Sequence, residues 1–190
     1  MKLRHRLGLL LSVCLIGCSV GMHAAHADAA DDVQRLIAQG NLAGALQRAE
    51  AGAQGADARL RFLHAVVLMD LKRDADALQM FTLLGQDYPQ LPEPHNNIAA
   101  LHARAGRWEL ARAALETALR NDPSHLLARE NLGDAHLHLA LAAWRSAVRT
   151  DRPDPILQRK IRVAVELIAR SVRDGRGSLA TDVPAPAVGK

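Results

Sequence analysis

Nine histidines among 190 residues make metal binding the first chemistry to consider. Their spacing argues against it. His136 and His138 are two apart, so on a helix they point to nearly opposite sides. His95 and His102 are seven apart, which is roughly 10 Å along a helix axis. Neither pair can chelate one ion, and no His-Glu-x-x-His run occurs. His102 and His136 therefore read as packing residues. No nucleophile motif, glycine-rich phosphate loop or definable carboxylate pair appears either. The expectation is a protein that is not an enzyme, with no metal site and no cofactor.

The elements around these residues begin with a leader. Lys2, Arg4 and Arg6 form a basic start and Leu7 to Ile16 an apolar run, the form of a secretory signal. The run falls short of the about 20 apolar residues a membrane-spanning helix needs, and no later stretch approaches that. No transmembrane segment is expected in the mature chain. Ala25-His26-Ala27 has the small-x-small form that a signal peptidase accepts, and Asp28, Asp31 and Asp32 follow. Cutting there removes residues 1–27 and frees a soluble periplasmic domain. Leu15-Ile16-Gly17-Cys18 resembles the lipobox of bacterial lipoproteins, which implies a signal of residues 1–17, an acylated Cys18 and a lipid anchor at the outer membrane. Both cuts remain open.

The leader also explains the apparent basicity. It holds three of the 24 Lys and Arg residues and none of the 20 acidic ones, leaving 21 against 20 and a net charge of +1. That is no footprint for nucleic acid. Cys14 and Cys18, the only cysteines, lie in the same stretch, so the mature domain has neither disulfide nor thiol. Aromatic residues are only 3% of the chain, and alanine and leucine dominate, which favours helix throughout.

Residues 58–91 and 92–125 align with each other at one fixed offset. Ala65 meets Ala99, Ala77 meets Ala111, Phe81 meets Leu115 and Pro89 meets Pro123, each 34 residues apart. Alanines let antiparallel helices approach closely, the large residue fills the gap, and the proline stops the second helix. Upstream, Val33 to Gly52 reads as a shortened earlier unit turning at Gly40-Asn41, with a first helix that should fray. With this period, and with Leu132-Gly133 at a central Leu-Gly, the chain resembles the tetratricopeptide repeat family. His102 and His136 stand where that pattern has tyrosine.

The fold implied is all-α, a helical solenoid of about three to four helix-turn-helix units over residues 31–173. The units run about 31–57, 58–91 and 92–125, with a degenerate fourth over 126–153. No Gly or Pro lies between Gly133 and Pro153, so one continuous helix is expected from about Ser124 to Thr150, with Ser124 as N-cap. Asp154-Pro155 then opens a capping helix over 155–173. Its Leu157, Ile161, Ala164, Val165 and Ile168 share one face. Residues 174–190 are small, Pro-containing and aperiodic, and read as a disordered tail.

The resemblance implies a concave groove lined by the first helix of each unit. By the family's pattern its groove residues are Arg59, Phe62, Val66, Asn96, Asn97, Arg104, Glu130, Asn131, Asp134 and His138. Asparagine both donates and accepts, as a side chain gripping an extended peptide should. The paired lysines that clamp a C-terminal carboxylate in chaperone-binding relatives are lacking. The function expected is a non-catalytic periplasmic adaptor or scaffold for an envelope protein or peptide. Two alternatives stand beside it. One is an outer-membrane lipoprotein acting as a pilotin-like assembly factor. The other is a peptidoglycan or membrane-surface binder using Arg159, Arg162, Arg170 and Arg173 of the last helix.

Overall fold

The computed structural model describes residues 29–53, 56–148 and 154–173, together with Leu179 and Thr181. The leader, with Cys18 and both candidate cuts, lies outside the described residues. So do Thr150 and most of the tail.

All regular structure among the described residues is helical. Helix α1 covers residues 29–38. It is followed by α2 (Leu42–Ala51), α3 (Ala58–Asp70), α4 (Asp74–Asp87), α5 (Glu93–Arg104), α6 (Trp108–Asn121), α7 (Leu126–Val148) and α8 (Pro155–Arg173). From α2 onward each helix packs on the next, and α5 also touches α7. This is the neighbour-on-neighbour packing of a helical repeat solenoid.

The 34-residue correspondence is physical. Ala65, Ala77 and Phe81 in one unit, and Ala99, Ala111 and Leu115 in the next, are all 0% exposed. The chain's two phenylalanines meet edge to face, Phe62 on Phe81, with centroids 5.5 Å apart. The turns repeat as well. Gly40, Lys72 and Gly106 each take a positive φ, at 71°, 62° and 71°. After each, the next amide reaches back five residues: Asn41 to the Leu36 carbonyl, Arg73 to Leu68 and Arg107 to His102. These are Schellman closures, which satisfy the last carbonyls of the first helix and reverse the chain. Successive units are tied at their far ends, where the Asn121 side-chain amide donates to the Pro89 carbonyl at 2.7 Å.

Helix α1 is a packed element and not a frayed end. Ala29, Ala30 and Val33 are at most 1% exposed and share a cluster with Leu60, Leu63 and Val67 of α3. Helix α7 runs unbroken for 23 residues, as the absence of Gly and Pro predicts. Its N-cap is His125, not Ser124. The Asp122 carboxylate accepts from both the amide and the hydroxyl of Ser124, at 2.8 and 2.6 Å. The free cap role passes to His125, whose Nδ1 accepts from the Ala128 amide at 3.1 Å.

Because α7 never turns back, Gly133 has no neighbour where a second helix would press on it, and a Cβ there would meet nothing within 4 Å. Asp154 caps α8 as expected, accepting from the Ile156 amide at 2.8 Å. Ala164 is buried and Leu157, Ile161 and Ile168 are half-buried, while Val165 is exposed at the edge of that face.

Candidate binding face

The first helices of successive units bring Asn96 and Asn131 together. Asn96 and Asn97 on α5 are 0% exposed and Asn131 on α7 is 1% exposed, and they are the only buried polar residues among those described. The Asn131 Nδ2 donates to the Asn96 Oδ1 at 2.7 Å, joining α5 to α7. Ala100 and Ala103, one turn and two turns beyond Asn96, and Ala135, one turn beyond Asn131, give the same region small apolar surfaces. An amide buried here costs about 1–3 kcal/mol wherever a hydrogen bond is missing, so an apolar residue would be the simpler filler.

The charged residues of the expected groove are held elsewhere. Arg59 pairs with Asp31 at 2.6 Å and donates to the Gln34 side chain at 2.8 Å, bracing α3 on α1. Arg104 pairs with Asp74 at 2.6 Å and donates to the Met69 carbonyl at 3.2 Å, bracing α5 on the turn between α3 and α4. Phe62 and Val66, at the positions equivalent to Asn96 and Ala100, are packed into the core with Phe81 and Leu101 and are at most 1% exposed. The reason is the Phe62–Phe81 contact, which draws the ring between the two helices of its own unit. Glu130 is exposed and Asp134 half-buried.

His138 lies flat on Trp108, with ring centroids 3.6 Å apart and planes 9° from parallel. Burial holds its pKa below the usual imidazole value, against the opposing pull of Asp134. Burial lowers His102 as well, with Arg107 adding to it, and its Nδ1 is buried without a hydrogen-bond partner. His136 is exposed, so of the two histidines read as packing residues only His102 packs. Among the described residues no group of three metal-ligating side chains could hold an ion.

Sequence reasoning missed two features. Leu179 is 2% exposed and belongs to the same buried cluster as Ala99, Ala100, Ala103, Ala128 and Ala135. A single leucine in a Gly, Ser and Pro-containing stretch carries no periodic signal. The second is an apolar cleft of about 320 Å³ between α7 and α8, lined by Leu137, Trp144, Ile156, Val163 and Leu167, with Arg159 and Lys160 at its rim. Lys160 lies over the Trp144 ring at 5.8 Å. The signal was present: Ile156, Val163 and Leu167 form a second helical stripe beside the first, making the apolar arc wider than one neighbouring helix can cover. No helix among the described residues is long and apolar enough to cross a membrane. No protein-family model matches this chain, and no curated protein matches it.

Proposed function

We propose that this protein is an exported, non-catalytic adaptor of the tetratricopeptide type that binds a protein or peptide of the cell envelope on the face formed by α5 and α7. The observation that supports this most is the buried amide pair Asn96–Asn131 joining α5 to α7, with Asn97 also buried on α5 and with Ala100, Ala103 and Ala135 one or two turns on. Small residues leave room for a chain to approach, and amides can both donate to and accept from its backbone. The test is capture of partners from an envelope extract, comparing the wild-type chain with a folded Asn97→Ala, Asn131→Ala double variant. A partner retained by the first and lost by the second supports the reading. Capture of nothing, or equal capture by both, removes it.

A second reading is favoured by α8. Ile156, Val163 and Leu167 are 69%, 50% and 47% exposed, and Arg159, Arg162, Arg170 and Arg173 lie beside them, with Glu166 paired to Arg170. An apolar ridge next to a basic one suits the surface of an anionic membrane, where each basic group adds about 1 kcal/mol. Sedimentation with anionic phospholipid vesicles, lost in an Arg159→Glu, Arg162→Glu variant, is the outcome this reading requires. The intact mass of the exported protein decides the leader. A chain starting at Asp28 diffuses freely, and one starting at an acylated Cys18 is tethered.

A further inference from the structure

Helix α8 turns one stripe of side chains toward the cleft it shares with α7. Ile156, Val163, Ala164 and Leu167, with Arg159 and Lys160 among them, recur at three- and four-residue spacing and so lie on one face. Leu137 and Trp144, two turns apart on α7, form the facing wall. Ala164 is 2% exposed and lies at the bottom, whereas Ile156, Val163 and Leu167 remain exposed along the open side. The cleft holds about 320 Å³, near the lower limit of the about 300–1,000 Å³ usual for small-molecule sites. From Ile156 to Leu167 its α8 wall runs roughly 16 Å by the helical rise. It is therefore long and narrow. A helix with its side chains is about 10 Å across, and a length matching this wall would take up roughly four times the volume. One extended hydrocarbon chain suits the shape better.

The charged groups at the rim are both cations. The Arg159 guanidinium is a planar fork that matches a carboxylate, and the Lys160 ammonium lies over the Trp144 ring at 5.8 Å. The two carboxylates of residues 154–173 are engaged elsewhere, Asp154 with the Ile156 amide and Glu166 with Arg170. Helix α7 carries no acidic residue beyond Asp134. An apolar slot with a cationic rim complements one anion on one apolar tail. We propose that the α7–α8 cleft binds a fatty acid as a monomer, its tail between Trp144 and the α8 stripe and its carboxylate on Arg159 and Lys160. This goes beyond the adaptor reading, whose face is on α5 and α7, and differs from α8 lying on a bilayer, which needs a surface and not one molecule. Each two methylene groups buried contribute about tenfold in affinity.

The probe is dodecanoate with a terminal bromine, a contact quencher of tryptophan, held below the concentration at which it self-assembles. It is titrated into the full chain carrying Trp108→Phe, which leaves Trp144 as the only indole of the two. The expected result is saturable quenching by one ligand per chain, about tenfold weaker for the decanoate analogue. Calorimetry of the wild-type chain with plain dodecanoate reads the affinity without the tryptophan change. Arg159 and Lys160 are exposed, so reversing both to glutamate should leave the circular dichroism unchanged. That Arg159→Glu, Lys160→Glu variant should bind dodecanoate at least tenfold more weakly and accept dodecyltrimethylammonium, which the wild-type cleft refuses. Quenching that never saturates, equal wild-type affinity for the carboxylate and the ammonium, or no effect of charge reversal overturns the proposal. Sedimentation with anionic vesicles by a chain that does not bind monomeric dodecanoate also overturns it, and leaves the membrane-surface reading standing.

Discussion

Replacing Asn131 by leucine keeps the branched, four-heavy-atom shape of the side chain in a larger volume and removes the donor that reaches the Asn96 Oδ1 at 2.7 Å. Both residues are at most 1% exposed, so water cannot take the vacated position without opening the α5–α7 contact. The lost bond together with the poorly solvated oxygen left behind costs about 2 kcal/mol. Asn96→Leu, which strands the other partner, costs a similar amount. The double variant leaves neither end of that bond behind, and an apolar pair of similar shape in place of a buried hydrogen-bonded pair is nearly neutral. Because Asn96 and Asn131 each make a further interaction, the double variant does not return fully to wild-type stability. It should still be more stable than the sum of the single changes by about 1 kcal/mol. Urea unfolding followed by circular dichroism reads this directly. With a slope of about 2 kcal/mol per molar urea, each single change lowers the midpoint by about 1 M. Single effects that add to within about 0.5 kcal/mol would mean the bond does not join the two helices energetically.

Three further outcomes are expected. Lys72 occupies the left-handed position that Gly40 and Gly106 fill in the other two units, so Lys72→Gly should raise stability by about 0.5–1 kcal/mol; a lower urea midpoint would refute the strain. Gly133→Ala, in the middle of α7 with nothing within 4 Å of the new methyl, should stabilise by about 0.5–1 kcal/mol, and a loss would show that a second helix does press there. Stability should also fall with acid. His64, His95, His102 and His138 all have pKa values lowered first by burial, with Arg73, Arg120 and Arg107 adding to the effect at the first three, and Glu50 and Asp134 opposing it at His64 and His138. The unfolded chain therefore takes up protons first. Stability present above the unfolded value of about 6.5 is lost as pH falls through it toward the lowered folded values. Urea midpoints from pH 8 to 5.5 that stay flat or rise would contradict this, and His95→Gln should shallow the slope.

The architecture was legible because its determinants are local and repeated. Ala65 and Ala99, Ala77 and Ala111, and Phe81 and Leu115 mark buried positions at one spacing, and the continuity of α7 follows from what is missing between Gly133 and Pro153. The details that failed were decided by competition or by distance. Ser124 is a good capping residue, but Asp122 captures it first. Phe62 stands at the position of Asn96, yet the nearby Phe81 decides where its ring goes. His136 and His138 are too close in sequence for periodicity to say that His138 meets Trp108 while His136 meets solvent. The asparagines could be assigned to a groove only through the resemblance to the tetratricopeptide pattern, and Leu179, which joins the buried cluster of α5 and α7, comes from a part of the chain without period.

The neighbour-on-neighbour packing sets an order of events in time. Each helix finds its partner within a few dozen residues, so the array has mostly short-range closures and can form pair by pair as the chain emerges, without waiting for its end. Leu179 is different: its cluster partners on α5 and α7 were synthesised at least 44 residues earlier, and it reaches them only after α8 is complete. A chain cut short after α8 would build the same stack without the leucine that joins the buried cluster of α5 and α7. The seated leucine thus distinguishes a chain that extends past α8 from one that stops there.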